Sequence, residues 1–206
     1  MLKIGITGPI GAGKSYISKL FADMYGIPVF DSDSVAKELQ LNNEFVKSRI
    51  INLIGSEAYN IDGSVNCKYV ADIIFNEPNK NEIIFDIIRG PLIARMYEDY
   101  YSYKYMRPNR PPFMLIENAI MIQEKAFHLM DNIILVNASY EVRMERVIKR
   151  GMKEEDFIRR NAKQMQINEM QDILNRHGVP SFMIVNEYDI YIPSIVEFYY
   201  KMITKK

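Results

Sequence analysis

Gly8-Pro9-Ile10-Gly11-Ala12-Gly13-Lys14-Ser15 spells G-x-x-x-x-G-K-[ST], the P-loop signature of chains that wrap the phosphates of a nucleoside triphosphate. Outward from it the context agrees. Leu2, Ile4 and Ile6 make residues 2–7 a short buried strand, and Ile17, Leu20, Phe21 and Met24 recur at i, i+3, i+4 and i+7 as one face of a helix. Gly8, Gly11 and Gly13 permit the tight turn, so that successive N–H groups, that of Ala12 included, converge on the β-phosphate at the positive end of the helix. Lys14 then reaches the β- and γ-phosphates, Ser15 offers its hydroxyl to Mg²⁺, and the N–H of Tyr16 completes the cradle.

The remainder of the chain bounds the possibilities. With 206 residues and 48% hydrophobic content, one good core and a small insertion or lid are expected rather than two large domains. The formal net charge is zero, from 26 basic and 26 acidic residues, so no global field recruits nucleic acid or an anionic membrane. Cys67 is the only cysteine, which excludes an intramolecular disulfide and a thiolate metal cluster. Met1 leads directly into the first strand with no signal-peptide layout, and no apolar stretch is long enough to span a bilayer, so a cytoplasmic protein is expected.

After Gly26-Ile27-Pro28, Val29-Phe30 reads as a second strand delivering Asp31 and Asp33 at its carboxyl end, with Ser34 capping a helix through Val35, Ala36 and Leu39. On an extended chain two carboxylates at i and i+2 point to opposite sides. Asp33 is therefore read as the group that orients an attacking hydroxyl and takes its proton, and Asp31 as a contact to Mg²⁺ or its water. From 43 to about 105 the pattern is helical, with stripes at Phe45, Val46, Ile50, Ile51 and Ile54, at Tyr69, Val70, Ile73 and Ile74, and at Ile83, Ile84, Ile87 and Ile88. Asp62-Gly63 marks a turn between the first two stripes, and Gly90-Pro91 should bend or end the third helix. Residues 97–112 mix Tyr97, Tyr100, Tyr101, Tyr103 and Tyr105 with Lys104, Arg107 and Arg110. In a neutral chain this is a helix end covered by amphipathic tyrosines rather than a nucleic-acid surface.

Phe113-Met114-Leu115-Ile116 is a third, buried strand ending at Glu117, which either points at the metal or acceptor or caps the next segment. Ile133, Ile134, Leu135 and Val136 form a fourth strand, and a helix from Tyr140 carries Arg143, Arg146 and Arg150 on one face. Arg146 and Arg150, with Lys149, Lys153, Arg159 and Arg160 nearby, suit a lid that brings guanidinium groups over the γ-phosphate, and Gln164 continues the helix toward the site. Phe182, Met183, Ile184 and Val185 make a fifth strand ending at Asn186, and a last helix over 192–203 packs Ile195, Val196, Tyr199 and Met202. His128 and His177 have no ligand or triad partner at recognisable spacing and read as structural.

In this order the chain resembles the dephospho-coenzyme A kinase family. The resemblance rests on Thr7-Gly8-x-Ile10-Gly11-x-Gly13-Lys14-Ser15, Asp31-x-Asp33, Asp62-Gly63, Ala119-Ile120-Met121-Ile122, Arg146 with Arg150, Gln164 and Asn186. It implies an α/β three-layer P-loop fold: a five-stranded parallel sheet between helices, a helical acceptor-binding insertion and a small helical lid. The implied division is a nucleotide core at 1–36 and 113–206, a lid around 146–166 and the insertion at 37–112. It further implies ATP and dephospho-coenzyme A as partners, with Mg²⁺ as cofactor. Asp33 would be the base at the ribose 3′-hydroxyl, Arg146 and Arg150 phosphate and lid contacts, and Asn186 a neighbour of adenine. Gln164 joins Asp33 on the acceptor side.

Three departures fall on that side too. Gly90-Pro91, preceded by Arg89, stands where the family usually has His-Pro, Cys67-Lys68 where an arginine often follows Asp-Gly, and Gln123 where an acidic residue closes the run. Lys68 and Arg89 are candidates to restore the missing charge.

Two other readings stand beside this one. One is a P-loop kinase for another small acceptor such as a nucleoside monophosphate. The other is a nucleotide-binding switch, which should carry a guanine-reading Asn/Thr-Lys-x-Asp after a late strand; Asn79-Lys80-Asn81-Glu82 is a near match in letters that precedes a helix.

Overall fold

In the computed structural model, residues 1–187 and 191–204 are described, and they divide into two compact units, Met1–Asp31 with Tyr103–Lys206, and Ser32–Ser102. The first is a sheet unit. Its strands β1 (Leu2–Thr7), β2 (Val29–Asp31), β3 (Phe113–Glu117), β4 (Asn132–Asn137) and β5 (Ser181–Val185) run parallel in the order β2-β3-β1-β4-β5. The central strand β1 has β3 on one side and β4 on the other, so the chain reverses its winding at the end of β1. Open parallel sheets bind ligands in the crevice beyond the carboxyl ends at such a point.

Strand alternation sets the two faces. Ile4 and Ile6 enter a core with Ile17 and Phe21 of α1 (Lys14–Tyr25) and Val196 of α9 (Ile192–Thr204), the helix that follows β5 as α8 (Ile167–Arg176) precedes it. Gly5 faces the other way, where a Cβ would meet Met121 Sδ at 2.5 Å. Between α1 and α9, Tyr25 stacks on Tyr200 at 3.8 Å. The helix stripes differ slightly from their expected faces: Met24 and Met202 lie exposed, and Ile192 and Ile203 join the core.

The helical unit consists of α2 (Ser32–Asn42), α3 (Glu44–Ile54), α4 (Cys67–Asn76) and α5 (Pro78–Tyr101). Asn43 Oδ1 accepts the Val46 N–H at the start of α3, and Asn66 Oδ1 accepts the Tyr69 N–H at the start of α4. Val46, Ile50, Ile54, Ile84 and Ile88 form its core, with Tyr69, Val70, Ile73 and Ile74 packed against it. Phe45 and Ile83, counted in the stripes, are exposed. At the expected turn, Ser64 donates both its N–H and its hydroxyl to Asp62 Oδ1, and Gly63 takes φ 82°.

Two expectations are corrected here. The helix does not wait for Ser34: α2 opens at Ser32, directly after β2, so Asp33 lies in its first turn and not on extended chain. There its carboxylate complements the positive helix end. Nor does Gly90-Pro91 end the third helix, since α5 runs for 24 residues with Pro91 inside it. Packing of α2, α3 and α4 along α5 holds the helix across the one backbone hydrogen bond that proline removes. The helical unit thus begins before residue 37 and ends before residue 112.

Candidate nucleotide-binding site

Between β1 and α1 the loop packs closely at its glycines, two of which meet the residues that clamp it. Gly11 at φ 81° presses on the backbone of Arg143, and Gly13 at φ 93° lies against the Asn186 side chain, so a Cβ at either position would collide. Gly13 caps α1 with no side-chain partner, and the first intrahelical bond runs from Ile17 N–H to Gly13 O. The N–H groups from Gly13 to Tyr16 therefore have no intrahelical acceptor, which makes this helix end an anion site. Lys14 curls back over the loop, donating to Gly8 O at 2.9 Å.

Below the loop, β3 supplies the carboxylate. Glu117 is 9% exposed and accepts the Ser15 hydroxyl at 2.6 Å and the Ser18 hydroxyl at 3.0 Å. The next segment is capped by Asn118, whose Oδ1 accepts the Ile120 N–H, and not by Glu117. Its register partner on β2 is Asp31. One hydroxyl and two carboxylates at adjacent strand ends are hard oxygen donors. No cluster of three or more metal-binding side chains exists among the described residues. This sparse set fits Mg²⁺, which keeps several waters and is bound through one or two carboxylates plus substrate phosphates.

Three side chains from the far end of the sheet grip the loop backbone. Gln164 Oε1 accepts the Ile10 N–H at 2.7 Å, Arg143 Nη1 donates to Ile10 O at 3.2 Å, and Asn186 Nδ2 donates to Ala12 O at 2.9 Å. Gln164 does not continue α7 (Glu154–Lys163) but ends it in extended conformation. Arg146, on α6 (Tyr140–Lys149), donates from Nη1 to Asn186 O at 2.8 Å and so stands beside Gly13. Arg150 lies past the last turn of α6 and is exposed. Arg143, one turn before Arg146 on α6, is 6% exposed, and burial lowers its pKa from the ordinary guanidinium value. Asn186 Oδ1 is buried with no hydrogen-bond partner among the described residues.

The profile of the dephospho-CoA kinase family matches residues 2–186. The chain belongs to that family. It is therefore an ATP-dependent phosphotransferase, and the P-loop geometry above is its nucleotide cradle. A dephospho-CoA kinase of Aquifex aeolicus is 32% identical over 171 residues, covering 82% of this chain and 83% of its own. Among solved structures, TT1252 from Thermus thermophilus superposes with a TM-score of 0.78 at 22% identity, over 100% of this chain and 98% of its own. Dephospho-CoA kinase from Campylobacter jejuni does so with a TM-score of 0.65 at 16% identity, over 98% and 97%. Both likenesses are of fold.

For a dephospho-CoA kinase family member, the sheet unit gathers Gly8, Gly11, Ala12, Gly13, Lys14, Ser15, Tyr16, Arg146, Gln164 and Asn186 around one loop. The acceptor-side candidates Asp33, Lys68 and Arg89 lie in the helical unit, all exposed; Arg89 pairs with Asp86 at 3.1 Å. Sequence reading left Glu117 undecided and gave Arg143 no role of its own. For Glu117 a signal existed, an acid closing an apolar strand next to the P-loop strand. For Arg143 none did, because three arginines at helical spacing look alike until packing separates them. His128 and His177, unremarkable in sequence, bring their rings to 5.1 Å, next to Phe127.

Proposed function

We propose that the chain transfers the γ-phosphate of ATP to the 3′-hydroxyl of dephospho-coenzyme A in the cytoplasm, the last step of coenzyme A synthesis. The observation that supports it best is the Ser15–Glu117 hydrogen bond beneath a P-loop, in a chain matched to this kinase family from residue 2 to 186.

In this reading, Lys14 leaves Gly8 O for the β- and γ-phosphates, while the loop N–H groups and Tyr16 N–H hold the β-phosphate. Ser15 and Asp31, with Glu117 behind Ser15, hold Mg²⁺. Mg²⁺ held there would supply charge neutralisation for the transferring phosphate. Asp33, at the exposed start of α2, orients the acceptor hydroxyl and takes its proton late in a loose transition state. Arg146 and Arg150 meet the spreading phosphate charge, Asn186 stands by the adenine, Lys68 and Arg89 serve the acceptor, and Gln164, expected on the acceptor side, instead holds the phosphate loop through the Ile10 N–H. The exposed Cys67 suits a reducing cytoplasm. The switch reading loses its support, because Asn79-Lys80-Asn81-Glu82 forms the first turn of α5 and Lys80 pairs with Glu77.

ADP release from ATP and Mg²⁺ tests the proposal, with dephospho-coenzyme A set against adenosine, nucleoside monophosphates and no acceptor. Turnover is expected with dephospho-coenzyme A alone, and Asp33→Asn should lower it by about 10²- to 10⁴-fold. Turnover with a nucleoside monophosphate instead would move the activity to the other kinase reading.

A further inference from the structure

α7 is a polar helix with a single buried residue, Phe157. Its tie to the rest of the sheet unit is short and specific. Arg143, reaching across from α6, places its guanidinium 5.8 Å from the Phe157 ring centre and 5.9 Å from that of Tyr140. Its Nε donates to Ala138 O at 3.1 Å, which fixes the fork. Its Nη1 then donates both to Asn161 Oδ1 of α7 at 2.7 Å and to Ile10 O of the phosphate loop at 3.2 Å. Three residues later, Gln164 takes the other polar group of Ile10, its N–H. Both hydrogen-bonding groups of one loop residue are thus held by side chains whose positions depend on where α7 sits. No carboxylate ion-pairs with Arg143 among the described residues, so a buried cation leans on the loop that receives phosphates.

We infer that Arg143 is a positioning residue that couples α7 to the phosphate loop through Asn161, so that the order of the loop, its affinity for ATP and the order of α7 change together. This rests on the nucleotide reading of the loop. Lysine cannot reproduce it, because one ammonium on a flexible stem lacks the planar fork that meets Ala138, Asn161 and Ile10 at once. Coupling between sites is reciprocal: if Asn161 strengthens ATP binding without touching ATP, ATP must in turn quieten α7.

The test uses the full chain as wild type, Arg143→Lys, Arg143→Met, Asn161→Ala, Asn161→Asp and the double variant Arg143→Met/Asn161→Ala. Amide hydrogen exchange and ATP affinity are measured, with thermal midpoints to confirm folding. Without nucleotide, Asn161→Ala should speed exchange at residues 9–13, whereas Asn161→Asp, which keeps an acceptor oxygen, should not. ATP should slow exchange over 154–163 in wild type and do so less in Asn161→Ala. Asn161→Ala and Arg143→Lys should each weaken ATP binding about tenfold, and the double variant should be no weaker than Arg143→Met, with the KM for acceptor unchanged throughout.

Unchanged loop exchange in Asn161→Ala, or effects that multiply in the double variant, would overturn the coupling. A wild type that binds no ATP would instead sink the nucleotide reading, and the nucleotide-free exchange of Asn161→Ala would still decide whether the latch exists.

Discussion

Glu117 concentrates the chemistry of the sheet unit in one side chain. A carboxylate this buried needs partners, and it has the hydroxyls of Ser15 and Ser18. In the proposed reading Ser15 holds Mg²⁺, and Glu117 would then aim that oxygen as an outer partner fixes a metal ligand. Glu117→Gln keeps one acceptor oxygen for a serine hydroxyl, offers the other hydroxyl an N–H donor in place of the second oxygen, and removes the charge. It should raise the Mg²⁺ concentration for half-maximal velocity by about 10- to 100-fold with little change in the thermal midpoint. A Mg²⁺ titration checks this; a wild-type Mg²⁺ dependence with lowered stability would make Glu117 a packing group for the two serines. The loop itself was legible from letters, because its glycines, lysine and serine are each required by backbone or phosphate chemistry. The clamps on it were not: Arg143 lies 133 positions from Ile10, and Gln164 lies 154 from it. Such contacts exist only once β1 and β4 pair and carry α6 and α7 to the loop.

At the level of elements, the strands were read within a residue or so, since continuous apolar runs bounded by turns leave few alternatives. Helix limits were harder. Ser34 is a competent cap, but β2 ends at Asp31 and the helix starts at once, at Ser32. Gly90-Pro91 left two outcomes open, a bend or an end, and the structure excludes the end: local propensity disfavours a helix there, and packing against α2, α3 and α4 carries α5 through. Gly90 then costs conformational entropy with nothing gained from its missing side chain, for its φ is not left-handed and a Cβ there would meet no atom within 4 Å. Gly90→Ala should stabilise the chain by about 0.5–1 kcal/mol, a rise of about 1–4 °C in Tm for a chain of this size. Thermal unfolding by circular dichroism reads it. A lower Tm would mean that the helix uses the glycine to bend around Pro91.

Across the molecule, zero net charge meets two polyanionic substrates, so attraction must come from local groups and fade within about 10 Å at moderate salt. Each unit has its own core: Ile17, Phe21, Phe113 and Val196 in the sheet unit, and Val46, Ile50, Ile54 and Ile88 in the helical one. A ligand stabilises what it binds, and a region with its own core can be quietened without the other. The loop belongs to the sheet unit and the acceptor candidates Asp33, Lys68 and Arg89 to the helical unit, so the two substrates should leave separate footprints. ATP with Mg²⁺ should slow amide exchange at residues 8–16 and little within 32–102. Dephospho-coenzyme A alone should do the reverse, and Lys68→Ala with Arg89→Ala should erase its effect while leaving that of ATP. Removing the metal with a chelator should shrink only the ATP footprint, because Ser15 and Glu117 lie under the loop. If dephospho-coenzyme A instead slowed exchange only at residues 8–16, it would be occupying the nucleotide cradle, and the helical unit would have to be given another role than holding the acceptor.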